Sequence, residues 1–150
     1  MLRKLHSTVL VSVVSLGLAL SGAVAQDATT FGDKLGFMPV ADTNRPLIGG
    51  TGHVSATLDG STLTIEGEFE GLRSPATVLA VHTGPMAQTG PEIAQIEIEG
   101  GATDGSFSGE IELDDEQLAM LQDNSIYVVV KSERNDTGEL RAWLVANNAQ

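Results

Sequence analysis

Few side chains in this 150-residue chain are of types that do chemistry, and their spacing narrows what that chemistry is. His82 ends an apolar run and is followed by Gly84-Pro85, then by a second pair, Gly90-Pro91. A histidine there can ligate a metal, move a proton or touch a partner from the loop it opens. Taken alone, it reads first as a ring that hydrogen-bonds the loop backbone and holds its shape. Glycine reaches special dihedrals and proline stiffens the path, so the 84–91 loop is either a recognition surface or a fold-specific connection. Arg141 and Trp143 lie two apart and therefore on one side of a strand; the sole tryptophan is of the type that anchors interfaces. Arg141 is expected to pair with Glu139 and to pack along Trp143. His53 belongs to a polar strand face and reads as ordinary surface.

No catalytic constellation is present. The chain has no GxSxG, HExxH, Walker or dinucleotide fingerprint, and no cysteine for thiol chemistry or Cys-based metal sites. No residue is assigned a catalytic role, no metal ligand is named, and no cofactor is expected. The rows Glu66/Glu68/Glu70, Glu97/Glu99 and Glu110/Glu112 would form an acidic face if their strands share a sheet. No DxDxDG-type loop accompanies them, so they read as a solvated face, with the rows offset between strands or paired with Arg73, Lys131 or Arg134.

The ends and the charge set the context. Arg3 and Lys4, an apolar run from Val9 to Leu20, and Ala23-Val24-Ala25 make residues 1–25 a signal peptide, with cleavage before Gln26. The run is shorter than the ~20 apolar residues of a spanning helix, so no stable membrane insertion is expected after cleavage. The expected location is secreted or periplasmic. Removing Arg3 and Lys4 leaves six basic against twenty acidic side chains, a net of −14. That charge argues against nucleic acid and against anionic membrane surfaces, and it permits a cationic partner, a divalent ion or simple solubility; the partner expected is a protein or a polysaccharide.

The elements that must position these residues are strands. Residues 26–33 read as a flexible N-terminus, 34–40 as an edge strand, and 42–50 as a loop. Val54, Ala56 and Leu58 alternate with polar residues, Asp59-Gly60 signals a hairpin, and Leu63, Ile65, Gly67 and Phe69 alternate again. Residues 77–82 form a further strand, then Ala94/Ile96/Ile98, then Phe107/Gly109/Ile111/Leu113. Asp114 with Gln117 forms a capping box for one short helix that ends near Asn124. The SIYVVVKS run (125–132) is apolar on both faces and so is central. Asn135–Gly138 reads as a turn, and Leu140, Ala142 and Leu144 face inward from the last strand. One domain over residues 34–146 results: all-β, an immunoglobulin-like or Greek-key sandwich or barrel of about eight strands with one short helix.

Three segments then stand out in order: AVHTGPMAQTGPEI (80–93), LDDEQLAMLQDNSIYVVVKSE (113–133) and GELRAWL (138–144). Together they resemble the CHRD domain, a module named after chordin and found in many bacterial secreted proteins, over roughly 34–145. The resemblance implies the same sandwich or barrel, sometimes compared with the copper-zinc superoxide dismutase fold. It also implies an exported, non-enzymatic binding or accessory role. Family members often carry three histidines, at positions that here hold Ala80, His82 and Lys131. A metal-binding or redox role on a dismutase-like scaffold is the alternative, and it needs clustered histidines. The residues expected to bind a partner are His82, Gly84, Pro85, Gly90, Pro91, Lys131, Arg141 and Trp143.

Overall fold

The computed structural model describes residues 28–147. The expected signal peptide lies outside them. Eight strands run in chain order: β1 (Thr29–Phe37), β2 (Thr51–Asp59), β3 (Thr62–Glu70), β4 (Ala76–Thr83), β5 (Glu92–Glu97), β6 (Gly105–Glu112), β7 (Ile126–Ser132) and β8 (Asn135–Trp143). Among the described residues one α-helix, α1 (Asp115–Gln122), enters between β6 and β7.

Every pairing is antiparallel, and the spatial order is β5-β4-β7-β8-β1-β2-β3-β6. The long crossovers β3–β4 and β5–β6 make this a Greek-key arrangement. The two outer strands, β5 and β6, come back together: Ile96 of β5 packs where a side chain at Gly109 of β6 would otherwise sit. The sheet is therefore a nearly closed, barrel-like wall. Period-2 alternation explains what fills it. Phe31, Leu35, Val54, Ala56, Leu63, Ile65, Leu79, Val81, Phe107, Ile126, Val128, Val130, Leu140 and Leu144 are all buried in one core.

α1 closes one end. The Asp114 side chain accepts the Gln117 backbone N–H while the Gln117 side chain accepts that of Asp114, so two orphan donors are satisfied reciprocally. Asp115 and Glu116 occupy the first turn, where the helix dipole favours negative charge. Leu121 is fully buried in the barrel end. Asn124 then takes a positive φ of 54°, which stops the helix.

Three expectations need correction. β1 begins at Thr29, so residues 29–33 are paired strand and not a flexible N-terminus. Nor is β1 an edge: it pairs with β2 along most of its length and with β8 at Gly36 and Phe37, joining the two halves of the barrel. The hairpin between β7 and β8 turns at Glu133-Arg134; residues 135–138 belong to β8. Between the pairs Val130↔Leu140 and Ser132↔Asn135, β8 has four residues where β7 has one. The Asn-Asp-Thr-Gly sequence thus leads into a bulge within β8 over residues 136–139, with Gly138 at φ 106°. A Cβ at Gly138 would overlap the Val129 side chain.

The carboxylate rows are offset, as expected for like charges. On β3, Glu66 lies between Ser55 and Ser108, and Glu68 between His53 and Ser106; Glu110 and Glu112 of β6 face Thr64 and Thr62. Glu97 is on the opposite outer strand, β5, across from Val78.

Candidate functional site

The residues expected to bind a partner gather on the outer face of β4, β7 and β8 and on the loop at its α1 end. β7 lies between β4 and β8, so its outward Tyr127 stands between His82, its partner on β4, and Trp143, its partner on β8. The rings form a continuous stack. His82 and Tyr127 have centroids 4.9 Å apart and are nearly parallel, and Tyr127 and Trp143 are 5.0 Å apart with a 37° tilt. The Arg141 guanidinium lies 4.5 Å from the Trp143 ring centroid. Aromatic pairs contribute about 0.5–1.5 kcal/mol each beyond their area burial, so the ladder is rigid as well as polarisable.

The ladder also clamps the 84–91 loop. The Trp143 indole N–H donates to the Gly84 carbonyl at 3.0 Å. The Tyr127 hydroxyl accepts the Gly90 N–H at 3.1 Å, and His82 Nδ1 is 3.1 Å from the Gly90 carbonyl oxygen. The loop ends are zipped by Thr83 N–H to Pro91 carbonyl and Gly84 N–H to Ser125 carbonyl bonds. Gly90 is required there because a Cβ would overlap the Thr83 carbonyl. Pro85 accepts from Gln88 N–H inside the loop. Met86, between the clamped glycines, is 59% exposed.

Lys131 joins the same face from further down β7. Its ammonium donates to Glu92 Oε2 at 2.8 Å, reaching across β4 to the start of β5. Glu92 Oε2 is also 3.8 Å from His82 Nε2, and Gln95 donates to its other oxygen. The hydrogen bond from Lys131 is the main reason the Glu92 carboxyl sits below its ordinary range. Ala80, His82 and Lys131 are therefore neighbours on one surface, and an ion pair stands among them. No group of three His, Cys, Asp or Glu side chains placed to hold a metal exists among the described residues.

Arg141 does not pair with Glu139. The β8 bulge turns Glu139 to the other end of the barrel, where it is fully buried. One carboxylate oxygen accepts from the Ser132 hydroxyl (2.6 Å) and Ser74 N–H (3.3 Å). The other accepts from Gly49 N–H (3.1 Å) and Arg73 N–H (2.8 Å). The Arg141 side chain makes no hydrogen bond or ion pair among the described residues.

Sequence reasoning missed Tyr127, Glu92, Met86 and Glu139. Tyr127 reads as core within an all-apolar run; its one signal was a hydroxyl that needs a partner when buried. Glu92 was concealed because it lies 39 residues from Lys131 in sequence and meets it only once β5, β4 and β7 are side by side.

These features define an antiparallel Greek-key β domain with a stiff loop fixed on its outer face. The family model of the CHRD domain matches residues 37–144, most of the chain, and the chain belongs to that family. CHRD domains are in general non-enzymatic binding or extracellular modules. No curated protein and no solved structure matches the chain. Among the described residues no helix is long and apolar enough to cross a membrane.

Proposed function

We propose that this chain is an exported, non-enzymatic binding module of the cell envelope or extracellular space. Its contact surface is the outer face built from the 84–91 loop with the half-buried Arg141, Trp143 and His82, backed by the buried Tyr127 between them. The observation that carries this reading is the preorganisation of the ladder: its side chains are held by stacking and by three bonds to the loop backbone. Trp and Arg are among the types that dominate interface energetics, and they do so best when little entropy is left to lose on binding; the buried Tyr127 serves as their support. The exposed Met86 supplies an adaptable apolar contact next to them. The Arg141 guanidinium occupies a face of the only tryptophan, the kind of surface on which a sugar ring stacks. That favours a protein partner over a polysaccharide.

The test is site-specific photocrosslinking in the source cell. A photoreactive residue at Met86 should give a discrete protein adduct that the same residue at exposed Glu66, on β3, does not give. Equal adducts from both positions, or none from Met86, would overturn the assignment of the surface.

A further inference from the structure

We infer that Arg141 takes a single carboxylate of the partner, flanked on the partner's side by an apolar group; this rests on the binding-module reading above. Three observations lead there. First, the guanidinium has no carboxylate partner among the described residues, in a chain whose acidic side chains outnumber its basic ones by twenty to eight. Glu139, the acid that strand alternation would set beside it, is committed to four donors at the far end of the barrel.

Second, the fork is presented. With its Cζ 4.5 Å over the indole centroid and no side-chain bond among the described residues, the guanidinium keeps its N–H donors for an acceptor, and a guanidinium fork matches a carboxylate bidentately. The indole itself is locked by its bond to Gly84, so the fork stands on a fixed base.

Third, the rest of the surface decides how much negative charge the partner can bring. The rows on β3 and β6 repel a polyanion, but exposed charges are screened beyond about 8 Å at physiological salt. One carboxylate, neutral or basic surroundings, and an apolar neighbour for Met86 are the combination this face fits.

The test uses the mature chain and two defined probes, N-acetyl-glutamyl-leucine amide and N-acetyl-glutaminyl-leucine amide. Trp143 is the only tryptophan, so its fluorescence and its indole N–H resonance report on this site alone. The glutamyl probe should give a saturable change, and the glutaminyl probe should bind at least about tenfold more weakly, as expected when a charge-assisted bond is lost. Arg141→Gln should abolish that preference. Arg141→Lys keeps the charge and the stem, and should retain part of it at an unchanged melting temperature. No saturable change, equal binding of both probes, or a preference that survives Arg141→Gln would overturn the inference, as would a response to a soluble neutral glucan in place of the glutamyl probe. A Met86 crosslink combined with no carboxylate preference leaves the module and removes the carboxylate; loss of both results removes both.

Discussion

The Ser132 hydroxyl donates to Glu139 Oε1 at 2.6 Å, and neither residue is open to solvent. Ser132 ends β7 and Glu139 ends the bulge of β8, so the bond ties the two strands where their regular register is lost. The backbone N–H groups of Gly49, Arg73 and Ser74 complete the carboxylate's shell and pull in the segment before β2 and the β3–β4 crossover. One acid thus organises three chain segments at the end of the barrel opposite α1.

Removing that acid should be costly. Glu139→Ala leaves four donors without an acceptor, and Glu139→Gln places an amide N–H₂ against donors. Either change is expected to cost about 2–4 kcal/mol, against roughly 1 kcal/mol for Ser132→Ala, which deletes one bond. Urea midpoints of the three variants check this. A Glu139→Gln protein as stable as wild type would contradict the four-donor arrangement.

The Glu92–Lys131 pair sets a pH dependence whose sign is fixed. Lys131, hydrogen-bonded to Glu92, holds the carboxyl below its ordinary 4.5, aided by Gln95 and His82 and opposed by desolvation. A depressed carboxylate contributes stability fully above its unfolded value and loses it as pH falls through its folded value. The stability difference between wild type and Glu92→Gln should therefore be constant near neutral pH and shrink below about pH 4.5. The pair is partly exposed, so the difference should stay under about 1 kcal/mol and fall with added salt.

Trp143→Phe keeps a ring in the ladder but removes the donor to the Gly84 carbonyl. The expected cost is about 1 kcal/mol, together with faster amide exchange confined to the 84–91 loop. Exchange at Leu79 and Val128, deep in the wall, should not change. A global loss of protection would mean that the indole supports the core and not the loop.

Asn135-Asp136-Thr137 spells a glycosylation acceptor, yet the fold withdraws it. Asn135 Nδ2 donates to the Leu47 and Gly138 carbonyls, and Thr137 Oγ1 donates to Asn135 Oδ1. Expressed through a eukaryotic secretory route, the folded domain should leave Asn135 without a glycan, as an intact-mass measurement would show. Full occupancy would imply that β8 is modified before it pairs.

Metal tests the remaining alternative. A ligand that binds only the folded state raises the melting temperature. With Lys131 standing among the positions where the family resemblance sets histidines, Cu²⁺ and Zn²⁺ should give no saturable rise relative to chelator. A rise abolished by His82→Ala would restore the dismutase-like reading.

Much of the wall was legible in the residues alone. Leu63/Ile65/Phe69 and Leu140/Ala142/Leu144 face inward because a strand's side chains alternate with period 2. Asp59-Gly60 turns a hairpin, and Asp114 with Gln117 starts the helix, because those signals act within four residues. What alternation cannot report is which distant segment covers a strand's outer face, or where a strand bulges. Asn135–Gly138 carries turn chemistry and uses it for a bulge, and that displacement sends Glu139 into a buried shell and leaves Arg141 on Trp143 with its charge uncommitted. His82, Tyr127, Lys131 and Trp143 meet only because β7 lies between β4 and β8, an order set by long-range packing of the whole barrel. The sequence by itself determined the strands, the cap and the acidic surface, since each is a local property; the assembled ladder and the buried acid were decided by tertiary structure, since each joins residues that are neighbours only once the barrel closes.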